Sequence, residues 1–130
     1  MWALSVLMYI RFQGNRQNET SSSKLGIFQL AFELRDYGDI PKYIEKELLE
    51  NINWLKQHLK SPDELEKTEN YRAISWFHPR AKGPIKRVRV IKAILEEYGY
   101  HIEQVTCRDP GEIIYEDGFQ IVAKPRKKAT

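Results

Sequence analysis

Hydrophobic residues recur at helical spacing through residues 41–59, which gives the clearest pattern in the chain. The apolar positions on one side are Ile44, Leu48, Ile52, Leu55 and Leu59. Lysine and glutamate occupy the opposite side, as expected for a helix with one face in water. Pro41 suits the first helical position, where its missing N–H has no helical partner, and Pro62 follows the last turn. The pattern predicts an amphipathic helix over residues 41–59.

A second amphipathic helix is predicted over residues 84–98. Its apolar arc is formed by Val88, Ile91, Ile94, Leu95 and Tyr98. Gly99 follows as the left-handed residue that commonly ends a helix. Arg87 falls inside the apolar arc, where a guanidinium requires a carboxylate, a ligand or a route to solvent. An ion pair of Arg87 with Glu112 or Glu116 is one way to meet that requirement.

Strands are predicted on both sides of this second helix. Residues 71–77 carry apolar side chains on both faces, which is typical of a buried strand. Residues 101–107 give a further strand after the helix.

A β-hairpin is predicted at the end of the chain. Asp117-Gly118 joins residues 112–116 to residues 119–123, and this pair favours a type I′ turn. In that register Ile114 opposes Ile121, so the hairpin carries apolar pairs.

The order strand, helix, strand, hairpin predicts an α+β fold with a β-α-β-β-β unit. Its βαβ start predicts a right-handed crossover between parallel strands, and its C-terminal hairpin adds an antiparallel pair. We expect the amphipathic helix of residues 41–59 to pack on this sheet. Residues 25–35 satisfy both strand alternation and helical spacing, and the turn at residues 36–39 favours a strand.

The first 24 residues are predicted to form an arm outside the domain. Residues 1–10 are apolar but too short to span a bilayer as a helix, and no basic segment precedes them as in a secretory signal. Residues 13–24 have no large apolar side chain and are typical of a flexible linker. An edge strand is the alternative for residues 1–24. We therefore expect one domain over residues 25–125, a basic tail over residues 126–130, a cytoplasmic location and no membrane partner.

Composition argues against several classes of site. Cys107 is the only cysteine among 130 residues, so neither an internal disulfide nor a thiolate-rich zinc centre can form. The seven glycines form no phosphate-binding loop motif, and the three histidines lie far apart in the sequence. The sequence therefore predicts no cofactor and no bound metal.

Charge is distributed in blocks, although the net charge is only +3. Residues 71–95 contain seven lysines and arginines and no acid, whereas residues 96–117 contain seven acids and one arginine. The two blocks either neutralise each other in the fold or leave a positive surface that attracts polyanions.

The start of the second predicted helix is the candidate anion site. Lys82, Lys86, Arg87 and Arg89 lie there, although cations near a helix N-terminus oppose the macrodipole. A bound phosphate would offset that cost by accepting hydrogen bonds from these side chains and from backbone N–H groups. Trp76, just upstream, could stack on a base as single-stranded nucleic-acid sites require.

A metal-dependent hydrolase or nuclease is the alternative. Asp109, Glu112 and Glu116 lie on or beside neighbouring strands, and Lys124 completes a charged cluster. Strand alternation puts Glu112 and Glu116 on one face. Nuclease sites built on a hairpin usually place an acid two residues before the lysine, and Val122 occupies that position.

Motifs in the C-terminal half carry a family resemblance. They are Trp76-Phe77, the basic helix ending at Gly99, and the segment G-E-I-I-Y-E-D-G-F-Q-I-V-A over residues 111–123. The last follows a G-x-I-x-Y-E-D-x-x-Q-V-V-A pattern, with Ile121 in place of the first of the two valines. In these motifs the chain resembles a family of small uncharacterised bacterial proteins. The resemblance implies no activity. It marks as positions of interest Trp76, Tyr115, Glu116, Asp117 and Gln120.

The sequence thus predicts a non-enzymatic binding or regulatory module, with nucleic acid or another phosphate-bearing polyanion as the expected ligand. A protein-interaction module that uses the hairpin edge, or a homo-oligomer, is the other hypothesis for the same residues.

Overall fold

The computed structural model describes residues 8–17 and 23–126, and within them the fold is α+β. Its elements are β1 (Tyr9–Gln17), β2 (Lys24–Gly26), α1 (Ile27–Tyr37), α2 (Lys42–His58), β3 (Ile74–Phe77), α3 (Lys82–Glu97), β4 (Glu103–Cys107), β5 (Glu112–Glu116) and β6 (Gln120–Lys124). Two 3-10 turns, Asp63–Glu66 and Thr68–Asn70, connect α2 to β3. The six strands form one curled antiparallel sheet.

Strand β1 lies inside the sheet and pairs with β2, β3 and β4. Ile10 is opposite Phe77 of β3 and also opposite Thr106 of β4, so β3 and β4 lie on opposite edges of β1. The predicted arm and linker are therefore wrong for the part of the chain that forms β1, which is an interior strand and not an edge strand. Residues 1–7, 18–22 and 127–130, which hold the rest of the arm, the middle of the linker and most of the basic tail, lie outside the described residues.

The elements β3, α3 and β4 form a split unit. β3 and β4 both run antiparallel to β1, so they point the same way, but β1 separates them. The two strands joined by α3 are parallel, as the sequence predicts, but β1, which the prediction left out of the sheet, lies between them.

The segment predicted as a strand at residues 25–35 is mostly the helix α1. Its buried residues Ile27, Leu30, Ala31 and Leu34 follow helical spacing, which was the alternative in the sequence. The backbone N–H of Gly26 donates to the Gln29 side chain at 3.0 Å, which satisfies one donor at the start of the helix. Strand alternation and helical spacing share Leu30 and Leu34, so packing against the sheet decides between them.

The helix of residues 41–59 is confirmed as α2, with Pro41 preceding its first turn. Leu48, Ile52 and Leu55 are fully buried, and each contributes about 1.5–3 kcal/mol of burial free energy. α2 packs principally on α3, and α1 contacts both helices and β1. α2 therefore joins a helical layer rather than lying across the sheet as expected.

The C-terminal hairpin forms between β5 and β6, but in a register other than the predicted one. The pairs are Glu112 with Lys124, Ile113 with Ala123, Tyr115 with Val122, and Glu116 with Ile121. Ile114 is thus left in a bulge, and a bulge reverses the faces of the residues that follow it. Glu112 and Glu116 therefore lie on opposite faces of the sheet, and their predicted shared face is wrong.

Asp117, and not a left-handed glycine, closes the hairpin. Its Oδ1 accepts the backbone N–H groups of Phe119 at 2.8 Å and Gln120 at 3.0 Å. Gly118 does not adopt a positive φ, so the predicted type I′ turn is wrong. In the hairpin it is Gly111 that requires glycine, because its φ is +116° and a Cβ there would overlap the Lys124 carbonyl oxygen.

Within the described ranges, no helix is long and apolar enough to cross a membrane. The cytoplasmic location stays a prediction, as do the domain bounds outside β1.

Candidate anion-binding surface

Three of the predicted anion ligands lie together on the solvent side of α3. Lys82, Lys86 and Arg89 are exposed and follow one another at helical positions i, i+4 and i+7. At about 100° per residue they fall within an arc of roughly 60°, and they extend over about 10 Å of helix. The opposite face of α3 is buried in the main core through Val88, Ile91 and other apolar residues. We call Lys82, Lys86 and Arg89 the α3 basic surface.

The α3 basic surface has no acidic partner among the described residues. Elsewhere, Arg16 pairs with Glu33, Arg35 with Asp36, Lys92 with Glu96, and Arg126 with Asp109. On the surface itself, Arg89 makes one long contact, 3.5 Å from Nη2 to Oε1 of Gln104. Its three cationic side chains therefore remain available to an anion.

The N-terminus of α3 adds to this positive potential. The first turn contains no acidic residue, and Ala81 provides no side-chain cap. The partial positive charge of the helix start is therefore not compensated locally, and Lys82 lies directly on it.

Arg87 is not part of this surface. Its guanidinium lies 5.0 Å from the centre of the Trp54 ring, and Nη1 is 3.5 Å from Oδ1 of Asn51. The Trp54 ring is itself stacked on His58 at 3.8 Å. A cation–π contact on α2 therefore replaces the ion pair with Glu112 or Glu116, and that expected ion pair is wrong.

Trp76 also lies away from the α3 basic surface. It is 8% exposed and packs with Tyr9, Ile121 and Ala123 in a second apolar cluster. Phe77, the next residue, packs with the helices instead, as alternation along β3 requires. Trp76 is therefore on the face opposite the helical layer, where it cannot stack on a base held by α3.

The predicted acidic cluster does not form as a group of four, because Glu116 lies on the other face of the sheet. Asp109 pairs with Arg126 at 3.1 Å and accepts the N–H of Gly111, and both contacts lower the pKa of its carboxyl group. Glu112 is exposed opposite Lys124, whereas Glu116 points to the other face. No group of three potential metal ligands occurs in the part of the chain that the structure describes.

His78, one of the three histidines that lie far apart in the sequence, is a buried group directly after β3. It is 1% exposed, and its Nε2 lies 3.0 Å from Oε2 of Glu116, a contact that is close enough for an ion pair but lacks hydrogen-bond geometry. Its ring is 5.5 Å from the Tyr9 ring. Neither ring nitrogen has a hydrogen-bond partner among the described residues. The one signal for its burial in the sequence is the position of His78 directly after a predicted buried strand.

The other positions marked by the resemblance build the corner of the hairpin. The Tyr115 hydroxyl donates to Asp117 at 2.7 Å, and this bond raises the pKa of Tyr115 to about 12. Burial alone would raise the pKa of Asp117, but hydrogen bonds from Tyr115 and from the backbone lower it. Gln120 Nε2 donates to the Lys60 carbonyl at 2.6 Å, which fastens the hairpin to the segment after α2. These contacts give the marked residues a structural role.

No family model matches this chain, and no curated protein and no solved structure shows significant similarity to it.

Proposed function

We propose that this protein is a non-enzymatic binding module that holds a phosphate-bearing polyanion, such as single-stranded nucleic acid, on the α3 basic surface. The observation that carries the proposal is that Lys82, Lys86 and Arg89 are aligned, exposed and free of acidic partners among the described residues. Phosphate groups accept charge-assisted hydrogen bonds from lysine and arginine. The uncompensated start of α3 favours the same ligands.

Binding of this kind reads the phosphate backbone and not the bases. Three cations neutralise about three phosphates and release the counterions bound there, which makes the affinity strongly dependent on salt. Trp76 is buried on the other face of the sheet, so it supplies no stacking platform for a base. We therefore expect weak dependence on nucleotide sequence.

The test is a fluorescence-anisotropy titration of a labelled single-stranded oligonucleotide with the wild type and with the triple variant Lys82→Gln, Lys86→Gln, Arg89→Gln. The matched control is Lys42→Gln, Lys46→Gln, Lys67→Gln, which removes the same charge from exposed lysines elsewhere. The proposal predicts that the α3 variant loses most of the affinity at low salt and that the control loses little.

Two outcomes would contradict the proposal. One is that the wild type does not bind the oligonucleotide or heparin at low salt. The other is that both triple variants weaken binding equally, because the effect would then come from net charge and not from the α3 basic surface.

A second candidate function rests on the β5 edge. β5 pairs only with β6 among the described strands, and Ile113 and Phe119 are 42% and 41% exposed. An open strand with exposed apolar side chains favours addition of a strand from another protein or from a second copy. Size-exclusion chromatography with light scattering tests self-association, and an Ile113→Lys variant should abolish it. A wild-type monomer at high concentration would contradict self-association through the β5 edge.

A further inference from the structure

One edge of β1 is interrupted. β3 pairs with this edge at Ile10 and β2 pairs with it from Gln13 onward, so it has no partner at Arg11 and Phe12 among the described strands. A cavity of about 390 Å³ lies at the interruption, between the sheet, the start of α1 and the end of α2. The fold therefore leaves a partly open cavity beside the interruption, between the sheet and the helices.

The cavity wall is mainly aromatic and aliphatic. The apolar residues that line it include Phe12, Phe28, Phe32, Leu55, Leu59 and Phe77. An apolar cavity of about 150 Å³ is sufficient to hold benzene, so this one has room for a body of about two rings. Aromatic walls favour a flat aromatic body through edge-to-face and offset-stacked contacts.

Arg11 is a partly buried charged group in the cavity wall, whereas the lysines that also line it are exposed. Its Nη1 donates to the Ser75 carbonyl at 3.2 Å, its Nη2 to the Lys24 carbonyl at 3.1 Å, and its Nε to the Gln13 side chain at 3.0 Å. A guanidinium has five N–H donors, so one N–H on each Nη atom remains. A carboxylate accepts two such N–H groups together.

The positive charge of Arg11 is not neutralised by a direct contact. All three of its acceptors are uncharged, and no carboxylate of the described residues forms an ion pair with it. Burial lowers the pKa of Arg11 to about 10, so the side chain is still charged at neutral pH. Lys56 and Lys60 also line the cavity, and Lys56 Nζ lies 5.3 Å from the centre of the Phe32 ring. The polar part of the cavity is therefore cationic.

We propose that this cavity, which we call the Arg11 cavity, binds a small aromatic carboxylate, with the carboxylate on Arg11 and the rings among the phenylalanines. The site is separate from the α3 basic surface, since none of Lys82, Lys86 and Arg89 lines it. The ligand supplies a negative charge opposite Arg11 and fills the cavity between the sheet and the helices.

Arg11 also has a structural role, because its bonds to Lys24 and Ser75 tie β2 to β3 across the interruption. That role alone predicts that replacing Arg11 changes stability. It predicts no preference for an anionic ligand over a neutral ligand of the same shape, so ligand selectivity separates the two roles.

The experiment measures calorimetric binding of 2-naphthoate, its neutral analogue 2-naphthamide and the cation 2-naphthylmethylammonium to the wild-type protein. A hydrogen-bonded charge pair favours the anion by roughly 10- to 100-fold. We expect that ratio between naphthoate and naphthamide, with the cation weakest. Equal binding of the anion and the neutral analogue, or no binding of naphthoate, overturns the proposal without any variant.

Variants then locate the site. Arg11→Met should reduce the ratio to near unity while naphthamide still binds, and Leu59→Trp should weaken both ligands by filling the cavity. Lys46→Met, on the exposed side of α2, is the matched control and should leave both affinities unchanged. If Lys46→Met lowers naphthoate binding as much as Arg11→Met does, the carboxylate is not held by Arg11 and the proposal is wrong.

Discussion

Two regions of this molecule present positive charge in opposite environments. Lys82, Lys86 and Arg89 lie in water along one side of α3, and none has an acidic partner among the described residues. Arg11 lines a mostly apolar cavity and is held by two backbone carbonyls and a glutamine side chain. The first arrangement can shift to follow an extended ligand, whereas the second has one fixed direction of approach.

The difference shows how environment decides what a cation recognises. Exposed charges are screened within about 10 Å at moderate ionic strength, so they attract polyanions without selecting among them. A partly buried charge is screened less and loses solvation, so it favours one ligand of matching shape and charge. A protein with a net charge of only +3 can therefore hold two anion sites with different selectivity.

The largest expected effect is the loss of stability when the charge of Arg11 is reversed, compared with the same reversal at Lys86. Arg11→Glu places a carboxylate against the carbonyl oxygens of Lys24 and Ser75, so we expect a loss of about 3 kcal/mol or more in the free energy of unfolding. Lys86→Glu changes an exposed side chain and should alter stability by less than about 0.5 kcal/mol. Urea denaturation followed by circular dichroism measures both. Equal effects would contradict the difference in environment.

The next largest expected effect is a difference between the two sites in how strongly salt lowers the affinity for their ligands. The affinity for a single-stranded oligonucleotide falls with salt concentration, and the slope is set by the number of phosphate contacts. Three contacts predict a loss of about 20-fold in affinity between about 50 and 200 mM salt. Binding of 2-naphthoate in the Arg11 cavity should change by less than about threefold, because a single, partly buried contact is screened less. Titrations of each ligand at several salt concentrations give the two slopes; parallel slopes would mean that both ligands use exposed charges.

A smaller effect is expected when the charge at the start of α3 is reversed. Lys82→Glu puts an anion on the positive end of the helix, so it should raise stability by about 0.3–1 kcal/mol. The same variant should weaken oligonucleotide binding and leave naphthoate binding unchanged. Thermal denaturation and anisotropy measure these changes. A loss of stability would show that Lys82 makes a favourable contact in the free protein.

The smallest expected effect is the pH dependence of the contribution that Asp117 makes to stability. Hydrogen bonds lower the pKa of Asp117 below its usual 3.8, so its contribution to stability is present above about pH 4 and is lost as the pH falls through the lowered value. Asp117→Asn should be less stable than the wild type at pH 6, and this difference should shrink at about pH 2. Gln120, which Asp117 holds, lines the Arg11 cavity but not the α3 basic surface. At pH 6 the variant should weaken naphthoate binding and spare oligonucleotide binding.

The sequence predicted those elements whose apolar pattern has only one interpretation. α2 and α3 are confirmed. Gly99 follows the end of α3 in the left-handed conformation, with φ +89°, as expected. α1 was misread because Leu30 and Leu34 fit both periods and only packing against the sheet distinguishes them. β1 was misread because a strand that continues into polar residues looks like a linker when its partners are not known.

The residues of the candidate sites also divide into those that the sequence could group and those that it could not place. Lys82, Lys86 and Arg89 could be grouped from the sequence because they are close together on one helix. Arg87 and Trp76 could not be placed, because their contacts with Trp54 and with Tyr9 join parts of the chain that are distant in sequence. The Arg11 cavity left no pattern at all, since it depends on where β2 and β3 leave the edge of β1.

A crossed binding experiment tests the central claim of two independent anion sites most directly. Oligonucleotide and 2-naphthoate are each titrated into the wild type, the Lys82→Gln, Lys86→Gln, Arg89→Gln variant, and Arg11→Met, with folding confirmed by circular dichroism. The account predicts that the triple variant loses the oligonucleotide and keeps naphthoate, and that Arg11→Met does the reverse. The account is contradicted if one folded variant loses both ligands, or if both variants still bind both ligands as the wild type does.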